Sequence, residues 1–269
     1  MRKGVAVVVV VVLLAAAVYL GQPVEVDHPS AAVPPAQPIA EAAQPARPPE
    51  VAVRENGIEV VSTQPEPEPL PALSDSDPIV QSWVVGQAGQ EFFEALSWNP
   101  SLVQRLVATI DALPSAQLPP VLWPANPPGG NFLVVDGPEG QLISPLNNAR
   151  YAPYIRIIGA IDPEALVQAY RGLEPLFQEA YQELGGGDLA FNDRLIEVLE
   201  HLMQTPRPGG EPVVLPSEAI FIFADIELES LSGGQKLLLR LGSDQSSIVR
   251  DKIEELHRLL TDAPPGGVQ

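Results

Sequence analysis

The sequence predicts a mainly α protein: a helical C-terminal domain with a small β element, preceded by a transmembrane helix and a disordered Pro-rich linker. Three observations predict this order. Residues 5–20 form an unbroken run of apolar and aromatic side chains, close to the length that crosses a bilayer as a helix. Residues 22–78 hold 13 of the 31 prolines. From residue 75 onward, apolar residues recur every three or four positions, which is the period of an amphipathic helix.

Composition limits the classes of function. The chain has 34 acidic and 15 basic side chains, a formal net charge of −19 and a pI near 4.4. A charge balance of this kind argues against binding nucleic acid through a basic surface. The chain has no cysteine, which excludes a disulfide framework, a thiolate nucleophile and a zinc ribbon. We expect no cofactor.

The N-terminal apolar run predicts a membrane anchor over residues 5–21. Arg2 and Lys3 precede the run, and the first acids, Glu25 and Asp27, follow it. The positive-inside rule then places residues 1–4 in the cytoplasm and everything after the anchor on the other side of the membrane. A cleaved signal peptide is the alternative, but the apolar run continues past the small residues at positions 15–17.

Residues 22–74 predict an extended acidic linker. The segment is rich in Pro, Ala and Glu and has neither helical nor alternating periodicity, so it cannot bury a core. A proline-motif docking site at residues 65–71 is the alternative interpretation. We also predict that residues 263–269 form a disordered tail.

Residues 75–262 predict the helical domain. Three helix starts have a capping residue followed by proline, at Asp77-Pro78, Asn99-Pro100 and Asp162-Pro163. The predicted helices cover residues 77–96, 99–113, 147–161, 162–184, 192–202, 235–241 and 244–260. Two strand pairs are predicted, 132–136 with 141–144 and 212–215 with 219–223.

Four blocks carry a resemblance to a known family: PLPALSDSDPIVQSWV, FQEAYQELG, FNDRLIEVLEHLMQTP and FADIELESLSGGQKLLLRLG. They resemble the bacterial domain-of-unknown-function family 3014, over residues 70–260. The resemblance implies a single-pass envelope protein of a Gram-negative bacterium, with the anchor in the inner membrane and the domain in the periplasm. It implies no activity, because the family has no known function.

Residues 231–235 read Leu-Ser-Gly-Gly-Gln, the signature of ABC-transporter ATPases. That signature acts only opposite a phosphate-binding loop, and none of the three lysines lies in such a loop. We therefore predict no nucleotide binding. The pattern instead indicates a capping box, in which Ser232 and Gln235 open a helix.

Two groups of acidic residues are candidates for chemistry. Asp193, Glu197 and His201 follow one another at intervals of four, so they share a helical face and could bind a metal or act as acid and base. A solvated helix face is the alternative. The residues Asp225 and Glu227, with Glu229, could form a carboxylate site, but Asp225 is also a natural N-cap for a short turn.

A tyrosine-rich pattern predicts a ligand or partner groove along two helices, made locally basic by neighbouring arginines. The alternative is that the tyrosines are core residues with polar tips at the surface. The candidate groove residues are Tyr151, Tyr154, Arg150, Arg156, Tyr170 and Arg171.

The sequence favours a non-enzymatic function. The leading hypothesis is a membrane-tethered periplasmic interaction or scaffold module, held at the inner membrane by residues 5–21, with an envelope protein or peptidoglycan as partner. The first alternative is a metal- or carboxylate-dependent hydrolase that acts on envelope material through Asp193, Glu197 and His201. The second alternative is a holdase-type chaperone.

Overall fold

Over the residues that the structure describes, the chain follows the predicted order of helices and strands, with the corrections given below. The computed structural model describes residues 69–95, 98–126, 131–217 and 220–262. The predicted anchor, the predicted linker up to residue 68 and the predicted tail lie outside the described residues. Within the described ranges, no helix combines the length and the apolar character needed to cross a bilayer.

Helices dominate the described residues. They are α1 (Asp77–Ala88), α2 (Gln90–Ala95), α3 (Leu102–Ala112), α4 (Asn147–Ala160), α5 (Pro163–Tyr181), α6 (Phe191–Met203), α7 (Ile226–Glu229), α8 (Gly233–Arg240) and α9 (Ser243–Thr261). The strands are β1 (Val134–Gly137), β2 (Gly140–Ile143), β3 (Val213–Ser217) and β4 (Ile220–Phe223). The prediction of a mainly helical domain with a small β element is confirmed.

Helices α5 and α9 form the centre of the helical layer. Helix α5 contacts α3, α6 and α9, and α9 also contacts α4, α6 and α8. Asp162 caps α5 as predicted, because its carboxylate accepts hydrogen bonds from the backbone N–H groups of Glu164 and Ala165. One face of α5 is buried, and each large apolar side chain removed from water stabilises the fold by about 1.5–3 kcal/mol. The buried face comprises Leu166, Val167, Tyr170, Leu173, Leu176, Phe177 and Tyr181.

The two predicted strand pairs join into one antiparallel sheet in the order β1-β2-β3-β4. The junction lies between β2 and β3, where Gln141 pairs with Val214 and Leu142 pairs with Val213. The inner face of the sheet packs on the helical core, with Val214 and Phe223 almost fully buried. The sequence predicted the hairpins but not their union, because the two pairs are separated by about 70 residues of helical chain.

The prediction of one helix over residues 77–96 is wrong. The chain turns at Gly89, where φ is +88°, so α1 ends at Ala88 and α2 begins at Gln90. Glycine adopts this backbone region without the steric cost that a Cβ imposes.

The predicted start of α3 at Asn99-Pro100 is also wrong, and the actual cap is not local. Helix α3 begins at Leu102, after Ser101 in a left-handed conformation with φ of +63°. The Asp77 carboxylate accepts hydrogen bonds from the backbone N–H groups of Ser101 and Leu102, at 2.9 and 2.7 Å. Asp77, predicted to open its own helix, therefore ties the start of α1 to the start of α3.

Asp77→Ala is expected to lower the free energy of unfolding by about 1–2 kcal/mol, the usual cost of losing an N-cap. Urea unfolding followed by tryptophan fluorescence measures this loss, because all three tryptophans lie in the domain. Asp75→Ala is the matched control, since it removes an exposed carboxylate two residues away. Equal losses in the two variants would show that the cross-helix cap contributes nothing.

Candidate functional site

The three candidate catalytic residues all lie on α6, but two of them are engaged in contacts within the protein. Asp193 is exposed. Glu197 accepts a hydrogen bond from Arg194 at 3.3 Å. The Nε2 atom of His201 lies 2.8 Å from the hydroxyl oxygen of Ser232. Across the described ranges, no three His, Asp or Glu side chains come together in a way that could hold a metal ion.

The contact between His201 and Ser232 joins α6 to the start of α8. The predicted capping box is confirmed: the Ser232 hydroxyl accepts from the Gln235 backbone N–H, and the Gln235 side chain accepts from the Ser232 backbone N–H. The Gln235 amide also donates to the carbonyl of His201 at 3.2 Å.

A serine beside a histidine is also the arrangement of a nucleophile and its base. Catalysis of that kind uses hydrogen-bond donors, often free backbone N–H groups, to stabilise the developing oxyanion. The nearest N–H groups, those of Gly233 and Gly234, donate instead to the carbonyls of Ser115 and Leu113 at 2.7 and 3.0 Å. The geometry therefore fits a structural joint between three chain segments.

The joint should make stability depend on pH through His201. Burial, and secondarily the Arg194 guanidinium, lowers the pKa of His201 from its ordinary value of 6.5. Between the two pKa values, His201 is protonated in the unfolded chain and neutral in the folded protein. The contribution of neutral His201 to the free energy of unfolding is therefore fully present above pH 6.5 and is lost as the pH falls toward the lowered pKa. Urea unfolding at a series of pH values below neutrality should show a smaller loss in His201→Gln than in the native protein. Identical pH profiles would contradict the assignment.

The second acidic group also serves the fold. Asp225 is the N-cap of α7, as the alternative interpretation predicted, and accepts from the backbone N–H groups of Glu227 and Leu228. Glu229 accepts from the Phe223 backbone N–H at 2.8 Å. Its other oxygen lies 2.9 Å from the Lys236 ammonium.

Two tyrosines of the predicted groove lie inside the protein. Tyr151 is 2% exposed, and burial raises its pKa to about 12. Tyr170 is fully buried, with its ring packed edge-on against Phe177 at 5.4 Å and near Phe191. Side chains in these positions cannot line an open groove, so both belong to the core.

The other groove candidates are dispersed. Tyr154 is half-buried and Arg156 is exposed. Arg150 donates to the carbonyl of Asn131, and Arg171 donates to the carbonyl of Leu259 in α9. The structure does not bring the six residues together as one surface.

A different surface, on the sheet, has the character of a binding site. Side chains alternate along a strand, and the register places paired residues on the same face. The face turned away from the core is mainly aliphatic, and its other strand positions are Gly137, Gly140 and Ser217. We call it the outer sheet face; it consists of Leu133, Val135, Leu142, Val213, Leu215, Ile220 and Ile222.

Four of the seven residues of the outer sheet face are exposed, and the other three are partly buried. Its residues Leu133, Val135, Leu215 and Ile220 are between 40% and 46% exposed. An antiparallel sheet that packs one face on a core usually presents polar side chains on the other. Four strands of four to five residues span roughly 300 Å², and exposed apolar patches of this size are often functional.

The chain segments that carry the sheet are acidic. Residues 131–149 and 208–230 contain seven Asp and Glu side chains and no Lys or Arg. Cations from outside these segments contact them. Arg240 lies beneath the inner face, where it stacks on the Phe223 ring and donates to the Phe221 carbonyl. Arg150 donates to the Asn131 carbonyl, and Lys236 pairs with Glu229. The outer sheet face is thus an apolar surface with an acidic surround.

The sequence contained a signal for this surface. Apolar residues run without polar alternation in Leu-Val-Val at 133–135, Val-Val-Leu at 213–215 and Ile-Phe-Ile-Phe at 220–223. Continuous apolar runs indicate strands that are apolar on both faces. The candidate sites considered from sequence were all groups of polar or aromatic residues, so this face was missed.

A model of the family described as a protein of unknown function, DUF3014, matches residues 102–257. The chain belongs to this family. The predicted resemblance is therefore confirmed over residues 102–257, which contain three of the four sequence blocks; the block at residues 69–84 lies outside the match. The DUF3014 match begins at the first residue of α3 and ends within α9, so it includes the whole sheet. No curated protein and no solved structure matches the chain.

Proposed function

We propose that this DUF3014 protein is a membrane-tethered interaction module of the bacterial envelope, which holds a partner on its outer sheet face. The observation that carries the proposal is a sheet with apolar side chains on both faces, of which one packs against the core and the other is not covered by the part of the chain that the structure describes. Covering roughly 300 Å² of apolar surface contributes about 7 kcal/mol before the costs of association.

The proposed location comes from the sequence. Residues 5–21 anchor the chain in the inner membrane, with residues 1–4 in the cytoplasm and the domain in the periplasm. A Pro-rich linker of about 50 residues could reach roughly 160 Å when extended, which lets the domain meet partners far from the membrane.

A protein suits the outer sheet face better than peptidoglycan. Leu215, Val135 and most of their neighbours offer methyl groups, with the Ser217 hydroxyl as an exception, whereas a glycan strand needs many polar partners. We therefore favour an envelope protein as the partner.

The experiment is affinity capture of the full-length protein from crosslinked cells of its own bacterium. Val135→Thr combined with Leu215→Thr makes the outer sheet face more polar and gives both positions β-branched side chains, which suit a strand. Leu189→Thr is the matched control, since Leu189 is 67% exposed and lies outside the sheet. We expect one or two stoichiometric envelope proteins, lost with the double variant and retained with the control. A partner list unchanged by the double variant would overturn the proposal.

The holdase is a second candidate, because an exposed apolar face can also receive unfolded chains. It predicts capture of many substoichiometric clients, and suppression of their aggregation that the double variant abolishes.

The hydrolase stays a prediction. Glu197→Ala with His201→Ala would abolish activity on envelope material if the protein is a hydrolase, and would leave partner capture intact if it is an interaction module.

A further inference from the structure

The outer sheet face and its acidic surround together define the kind of partner. We infer that the outer sheet face receives a basic amphipathic helix, whose aliphatic side chains cover the sheet and whose flanking Lys and Arg side chains meet the surrounding carboxylates. This inference rests on the proposed function and specifies the chemistry of the partner.

The proposed binding surface is a face of the sheet rather than an edge, and this determines which secondary structure the bound segment can have. The residues of the outer sheet face contribute aliphatic side chains, and the backbone groups of the inner strands β2 and β3 are used within the sheet. A segment laid on such a face must satisfy its own N–H and C=O groups, because Ser217 carries the one hydrogen-bonding side chain among the described strand residues of this face. A helix does this, and an extended strand does not.

The dimensions fit one helix. Four strands at about 4.8 Å spacing make the face roughly 19 Å wide, and its strands are about 15 Å long. About 12–14 helical residues span 18–21 Å and present one apolar stripe to the sheet. A stable dimer of two copies buries about 800 Å² on each partner. The outer sheet face supplies less than half of that area, so a second copy is a poor occupant.

The charge around the outer sheet face also favours a basic helix as the occupant. Among the acids in the sheet segments, Asp136, Glu139, Glu211, Asp225 and Glu227 are exposed. These five exposed acids attract a cationic helix and repel both a second copy and an anionic lipid surface, whereas Glu229 is already paired with Lys236.

The test uses the full chain in nanodiscs of zwitterionic lipid, with empty nanodiscs as the blank. The probe is a synthetic helix of about 14 residues with a leucine stripe and lysine flanks. Two matched peptides replace every lysine with glutamate, or scramble the same leucines and lysines so that no stripe forms. Fluorescence anisotropy of the labelled peptides reports binding.

We expect the Leu/Lys peptide to bind, and Val135→Thr with Leu215→Thr to weaken it by about tenfold or more. Leu189→Thr should change the affinity by less than about twofold, and raising the salt from about 50 to about 300 mM should weaken binding severalfold. The glutamate and scrambled peptides should bind at least about tenfold more weakly.

Four results would overturn the inference. They are equal binding of the glutamate peptide, equal binding of the scrambled peptide, binding unaffected by the double variant, and a dimer of the full chain that the double variant dissociates. If cellular capture depends on the outer sheet face but the Leu/Lys peptide does not bind it, this inference fails while the proposed function stands. If neither depends on that face, both fail.

Discussion

Gly234→Ala is expected to lower the free energy of unfolding by about 3 kcal/mol, at the upper end of the cost of overpacking a core. A Cβ at Gly234 would lie 2.9 Å from the Leu113 carbonyl oxygen and 2.8 Å from a methyl carbon of Leu202. The backbone atom cannot move aside easily, because the same carbonyl accepts the hydrogen bond of the Gly234 N–H at 3.0 Å. The glycines of the Leu-Ser-Gly-Gly-Gln segment thus let the start of α8 pack directly on the end of α3.

Gly86→Ala is the matched control, with the opposite expected sign. Gly86 lies within α1, is exposed, and has nothing within 4 Å of the position that a Cβ would take. Alanine there should raise the free energy of unfolding by about 0.5–1 kcal/mol through helix propensity. Urea unfolding measures both variants, and a loss at Gly234 no greater than about 0.5 kcal/mol would contradict the packing account.

Arg250→Met is expected to lower the free energy of unfolding by about 3 kcal/mol. The change leaves two buried backbone carbonyls without a hydrogen-bond donor, and each unsatisfied carbonyl costs about 1–3 kcal/mol. Arg250 in α9 is 6% exposed. Its guanidinium donates to the carbonyls of Thr205 and Pro206 at 2.8 and 3.1 Å, and to the Ser246 hydroxyl at 3.0 Å. Methionine replaces the aliphatic part of the side chain, so the loss reports on the hydrogen bonds that hold the segment after α6.

Arg207→Met is the matched control for Arg250→Met. It also removes a guanidinium charge, so it distinguishes the loss of the Arg250 hydrogen bonds, which we call the Arg250 clamp, from the loss of a positive charge. Arg207 and Arg250 both line a cleft of about 530 Å³ between residues 207–212 and the junction of α8 and α9. The Arg207 side chain is 70% exposed, and its nearest carboxylate, Glu254, lies 3.8 Å away. Exposed pairs of this kind contribute little, so the change should stay within about 0.5 kcal/mol. Equal losses in the two variants would contradict the clamp.

Local features of the fold could be predicted from the sequence. The Asp162-Pro163 start of α5 and the capping box at Ser232 each depend on residues within one helical turn, so their patterns were sufficient. The same holds for the two hairpins, whose turns lie between adjacent strands.

Features that join distant segments could not be predicted in this way. Asp77 caps a helix that begins 25 residues later, and nothing in its local sequence distinguishes that role from capping its own helix. Tyr170 lies at the correct helical spacing for either a core or a groove, and only the packing of α5 against Phe191 places it inside. The polar pattern of α6 predicted a site there, whereas the candidate site consists of aliphatic residues in segments for which the sequence predicted strands and no site.

The central claim, that the outer sheet face contacts a partner, is tested most directly by site-specific photo-crosslinking in the native bacterium. A benzophenone amino acid replaces Leu215 on the outer sheet face or, in the matched control, Leu189 outside the sheet, both of which are exposed. We predict a discrete crosslinked species with the probe at position 215 and none at position 189. No crosslink at position 215, or the same species at both positions, would contradict the account.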